Sequence, residues 1–149
     1  MTTLYRKIII ATDGTEYAKK AINTAVGLSK LTGAKLYGVF VSDVSNIAPT
    51  SVEWELVAET IRQEAATALS YVCEKAAAEK LDFESVNLSG SPALEIVQYA
   101  NSIDADLIVV GAAGKKALER LILGSVSEKI LRNAKQQVLV VKCANPGNE

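Results

Sequence analysis

The chain has no histidine in its 149 residues. That absence removes the Ser-His-Asp triad, the Cys-His pair and every histidine-ligated metal site. Cysteine is nearly missing too: Cys73 and Cys143 are the only two, too few for a disulfide framework or a thiolate zinc site, and both are expected to be free thiols. No sign of charge dominates. A net charge of -1 and a pI near 5.6 give no general attraction to nucleic acid or to an acidic membrane surface. No apolar run approaches the length that crosses a bilayer, and nothing before Lys7 has the pattern of a signal peptide, so a soluble cytoplasmic protein is expected. Two nucleotide motifs are also missing. No G-x-G-x-x-G follows the first strand, and no Walker G-x-x-x-x-G-K-[ST] occurs anywhere.

What is present is an apolar chain, 49% hydrophobic and 22% charged, of a size that fits one domain over residues 1–149 with a substantial core. Lys7 to Ala11, KIIIA, reads as a strand buried on both faces. A helix with a stripe at Ala18, Ala21, Ile22, Ala25 and Leu28 follows, with Gly33 as its C-cap. Asp13 has N-cap character for that helix, and Glu16 completes the capping-box spacing. Lys35 to Val41 is a second strand in which Gly38 marks a close approach. Trp54, Val57, Ile61, Ala65, Ala68, Leu69, Val72 and Ala76 set out a long helix reaching about Lys80. Phe83 to Leu88 is a weaker strand, at or near an edge. Ser91 and Pro92 open a further helix as N-cap and N1, with Leu94, Val97 and Ala100 as its apolar face. Leu107 to Val110 and Val138 to Val141 supply the last two strands. Strands alternating with helices predict an α/β fold, an open parallel sheet of five strands with helices on both faces.

The densest pattern lies between those last two strands. The buried run ends at Gly111, and glycines recur as G-x2-G-x9-G at Gly111, Gly114 and Gly124, with Ser125 next. Glycine lets backbone amides approach an anion closely. Ser125 and Glu128 have capping-box spacing, and Val126, Ile130, Leu131 and Ala134 repeat at helical spacing. A helix N-terminus therefore begins at the last glycine, with unpaired amides and the positive end of its dipole available to an anion. Each residue has an ordinary structural use as turn or cap; the joint spacing after a buried strand is what points to a phosphate cradle.

This stretch resembles the ATP-binding signature of the universal stress protein family, G-x2-G-x9-G-[S/T], and the resemblance extends from Lys7 to Lys142. It implies a sheet of order 3-2-1-4-5, in the Rossmann-like manner, with the ligand crevice between the first and fourth strands. It further implies binding of ATP, or of AMP or ADP, together with Mg²⁺. The site residues implied are Ala11, Thr12 and Asp13 after the first strand and Val41 at the end of the second, whose backbone meets the adenine edge. Val110, Gly111, Gly114, Gly124, Ser125, Val126 and Ser127 complete the set around the phosphates. Family members often pair the last strand with its two-fold mate, so a homodimer through Val138 to Val141 is implied as well, in agreement with an uncharged β-branched edge that needs covering. The chain departs from the usual family pattern at Ala113, where many members carry histidine, and at Gln137, where many carry proline; the first departure leaves ATP and AMP both open as the preferred ligand.

The expected function is a nucleotide-dependent signalling or stress-response module. An enzyme is the second class: without histidine, the groups left to orient a water are Asp13, the serines near Gly124 and a bound Mg²⁺, so any ATP hydrolysis is expected to be slow. A receiver-type phosphorylation switch shares the layout but needs an acidic pair after the first strand and an acceptor aspartate after the third, where Leu88 and Ser89 stand. A structural dimer that has lost its ligand is disfavoured by the intact glycines.

Overall fold

The computed structural model describes residues 4–43, 54–112 and 124–142. Gly114 and Cys143 lie outside them.

The chain order is β1 (Lys7–Ala11), a 3-10 turn (Glu16–Ala18), α1 (Lys19–Thr32), β2 (Lys35–Ser42), α2 (Trp54–Ala78), β3 (Phe83–Ser89), α3 (Pro92–Ile103), β4 (Leu107–Gly111), α4 (Ser125–Asn133) and β5 (Gln137–Val141). All strand pairs are parallel, in the order β3-β2-β1-β4-β5. Successive isoleucines in β1 point to opposite faces. Ile8 and Ile10 join a core with Ile22, Ala25, Leu69 and Val72 of α1 and α2. Ile9 joins another with Ile96, Ala100 and Ile130 of α3 and α4. All three isoleucines are fully buried, and burying each stabilises the fold by about 2 to 3 kcal/mol. With right-handed crossovers, β1 to β3 proceeding one way and β4 to β5 the other puts α1 and α2 on one face and α3 and α4 on the opposite face. The direction reverses between β1 and β4, and the crevice opens there.

Several local expectations are corrected. Asp13 does not cap α1; a 3-10 turn intervenes and α1 begins only at Lys19, after Ala18. Glu16 instead pairs with Lys19 at 2.9 Å, which raises the Lys19 ammonium above its usual value. Ser91 does occupy the N-cap of α3, with Pro92 following, but its hydroxyl makes no capping bond. The buried face of α3 is Ala93, Ile96 and Ala100, while Leu94 is 54% exposed. At α4, Gly124 is the N-cap and Ser125 the first helical residue, so the Ser125–Glu128 box does not form. Glu128 pairs with Arg132 instead, and Leu131 is exposed.

Other expectations hold. Gly33 ends α1 at φ +76. A Cβ on Gly38 would come within 2.9 Å of Val72 Cγ1 and 3.1 Å of the Phe83 ring, so the close approach read from that glycine is real.

Candidate functional site

β1 leaves the sheet at Thr12, whose N–H donates to the Val39 carbonyl at 3.0 Å as the last rung against β2. The chain then turns tightly. Gly14, at φ +80, donates its N–H to Thr12 Oγ1 at 3.1 Å. Asp13 Oδ1 accepts from the Thr15 N–H at 3.0 Å and from the Thr15 hydroxyl at 2.6 Å, an Asx turn that fixes the carboxylate. Its outward backing is α2: a Cβ on Gly14 would lie 2.9 Å from Ala68 Cβ.

β2 runs past the end of β1. Lys35 donates its N–H to Arg6, and Val39 accepts from Thr12, so odd-numbered residues of β2 direct their backbone groups toward β1. Leu36, Ser42 and Phe40 turn theirs toward β3: Leu36 donates to Asp82, Ser42 accepts from Gly90, and the Phe40 carbonyl accepts from Asn87 Nδ2. Alternation then sends the N–H and C=O of Val41 to the β1 side, beyond the last β1 rung.

β4 ends at Gly111, and the Ala112 N–H donates to the Val141 carbonyl at 2.9 Å. α4 returns beside it. Its first internal bond is Glu128 N–H to the Gly124 carbonyl, so the amides of its opening turn have no helical partner. The Ser127 hydroxyl donates to the Gly111 carbonyl at 2.7 Å.

These pieces surround a cleft of about 180 Å³. Of the residues expected from sequence, Ala11, Thr12, Asp13, Val41, Val110, Gly111, Val126 and Ser127 line it. Gly124 and Ser125 stand at the start of the adjoining helix and are not part of the wall; Gly114 lies outside the described residues. Tyr17, Ala18, Phe40, Pro92 and Ile96 are the other described lining residues, and sequence reasoning missed them as site residues. Phe40 was detectable as the neighbour of Val41. Ile96 and Pro92 come from the helix after β3, and no local pattern marks them. Asp13 is the only carboxylate among the described lining residues. Among the described residues, no group of three or more histidine, cysteine or acidic side chains could hold a metal ion, and no helix is long and apolar enough to cross a membrane.

The crevice thus offers an apolar slot bounded by a strand end whose Val41 backbone groups face it beyond the last β1 rung, an oriented carboxylate, and a helix N-terminus beside a glycine. This chain is similar to known proteins throughout. The universal stress protein family model matches residues 4–142. A universal stress protein of Methanocaldococcus jannaschii is 41% identical over 141 residues, covering 93% of this chain and 83% of that protein. The structure of universal stress protein UspA from Lactobacillus plantarum has a TM-score of 0.78 at 25% identity, covering 92% of this chain and 97% of that one. The universal stress protein from Archaeoglobus fulgidus in complex with dAMP has a TM-score of 0.64 at 24% identity, covering 93% and 99%, a likeness of fold. With the family model spanning nearly its whole length and a relative at 41% identity, the chain belongs to the universal stress protein family.

Proposed function

We propose that the cleft binds an adenine nucleotide, ATP or else AMP or ADP, and that the protein acts as a nucleotide-dependent signalling or stress-response module. The observation that carries this reading is the convergence of Asp13, the Val41 strand end, Gly111 and the α4 N-terminus on one crevice. An adenine edge offers a donor beside an acceptor, and the C=O and N–H of Val41 are the complementary pair. The apolar faces of Phe40, Ile96 and Val110 suit a flat heterocycle between them. Asp13 would accept from a ribose hydroxyl through the oxygen that Thr15 leaves free, with Ala11 and Thr12 alongside.

The phosphates would meet Gly111, Gly114, Gly124, Ser125 and the amides of Val126 and Ser127, where the helix dipole favours negative charge. Mg²⁺ would arrive on the phosphates, since Asp13 is the only carboxylate among the described lining residues. The dAMP complex of the Archaeoglobus relative supports an adenine nucleotide in this fold.

Binding is favoured over hydrolysis by a specific observation: Asp13 is the only carboxylate among the described lining residues, one of its oxygens is held by Thr15, and the other is the one that would meet the ribose, which leaves no described carboxylate to take a proton from water. Residues 1–149 form one nucleotide-binding domain on this reading, cytoplasmic and paired as a homodimer through Val138 to Val141. Mass spectrometry of the gently purified protein is expected to detect a retained adenine nucleotide, or to detect one after incubation with ATP and Mg²⁺. A protein that carries none and takes up none overturns the proposal.

A further inference from the structure

Ser127 is 3% exposed, and its hydroxyl donates to the carbonyl of Gly111, sixteen residues earlier, at 2.7 Å. Gly111 ends β4 and Ser127 lies in the opening turn of α4. One part-buried hydrogen bond therefore joins the end of β4 to the opening turn of α4, across the glycine-spaced segment.

The direction of that carbonyl gives the bond a second consequence. Ala112 sends its N–H to Val141 on β5, and Gly111 is the register partner of Val141. Strand alternation then turns the Gly111 C=O the other way, toward β1, and β1 has already ended at Ala11. A carbonyl oxygen facing that crevice presents negative partial charge where an anion would have to sit. The Ser127 hydroxyl covers it. Its proton is committed to Gly111, so the oxygen has only acceptor lone pairs left to offer.

We infer that Ser127 is a positioning residue for anion binding: it ties the end of β4 to the first turn of α4 and masks the Gly111 carbonyl, so that the α4 amides rather than that oxygen face the phosphates. This rests on the nucleotide reading of the cleft. It assigns the serine hydroxyl a partner in the protein, not in the ligand.

The test compares wild type with Ser127→Ala, Ser127→Thr and Ser127→Cys. Hydrogen exchange of peptides covering Gly124 to Ile130 is followed in nucleotide-free protein, and ATP and adenosine are titrated separately by calorimetry. Loss of this part-buried hydrogen bond is expected to speed exchange in the first turn of Ser127→Ala about tenfold and to weaken ATP binding about tenfold or more. Adenosine, which has no phosphate, is expected to bind within about twofold of wild type. Ser127→Thr keeps the hydroxyl and restores both readouts, while Ser127→Cys, a weaker donor, falls between.

Unchanged exchange without nucleotide together with weakened ATP binding would make the hydroxyl a direct ligand contact and overturn the inference. Faster exchange with unchanged ATP affinity would overturn it as well. If Ser127→Ala fails to fold, the ranking of Ser127→Thr over Ser127→Cys in both readouts decides the matter, and equal behaviour of the two counts against it. A wild type that binds neither ligand removes the nucleotide reading, and with it the anion role, while the exchange data still report the tie between β4 and α4.

Discussion

At the scale of single residues, the site depends on a contact that only the smallest side chains permit. Gly14 holds φ +80, and a Cβ there would lie 2.9 Å from Ala68 Cβ and 3.1 Å from its Cα, neither of which can move independently of α2. Gly33 has nearly the same φ, +76, but nothing lies within 4 Å of its hypothetical Cβ. Alanine at Gly33 is expected to cost about 1 kcal/mol from the left-handed backbone alone. At Gly14 the same penalty adds to overpacking, for a total of roughly 2 to 4 kcal/mol. Urea denaturation of the two variants checks this, and equal losses would mean that the Ala68 contact contributes nothing. The comparison also shows what could be read in the residues. Gly33 declares itself by following a helical stripe. Gly14 does not, because its steric partner is a residue of a different helix, brought against it only by the sheet.

At the scale of elements, strands were easier to read than helix faces. Runs such as KIIIA and LIVV are buried on both sides whatever the register, so their identification survives small errors. A helix exposes part of its circumference, and a rotation of one residue changes the answer. In α3 the sequence favours Leu94 for its size, yet Ala93, Ile96 and Ala100 face the sheet because small alanines allow the backbone to approach closely. At α4 the buried positions are Ser127 and Ile130. A serine among the core residues has no signature in hydrophobic periodicity, and its reason appears only with the Gly111 carbonyl in place.

β5 is one of the two edges of the sheet, β3 being the other. Val141 accepts from the N–H of Ala112, the residue after β4, so alternation turns the N–H and C=O of Val140 toward the open side. If a second copy pairs there, Val140→Pro removes an outward donor while leaving the β4 ladder intact. Light scattering at micromolar concentration is expected to give a dimer for wild type and a larger monomer fraction for Val140→Pro. A wild type that remains monomeric would contradict the proposed homodimer.

At the scale of the whole molecule, the site is a product of topology. The reversal between β1 and β4 brings together Asp13, Val41 and Val126 from three separate stretches of chain, and α3 adds Pro92 and Ile96. Glycine spacing and strand ends mark the first group in the sequence. The apolar wall from α3 carries no such mark, because any core-facing residue of that helix has the same composition. The central claim is that this crevice holds an adenine nucleotide with its phosphates at the α4 N-terminus. Gly124 adopts φ -65 and ψ 159, a conformation open to any L-residue, so Gly124→Val should fold while placing a branched side chain beside the α4 amides. Calorimetric titration of ATP, with Mg²⁺ and after carried-over ligand has been removed, is expected to show binding by wild type. A loss of at least about a hundredfold is expected in a Gly124→Val protein shown by circular dichroism to be folded. Wild-type protein that is folded yet binds no adenine nucleotide, or a folded Gly124→Val that binds as tightly as wild type, would contradict the account.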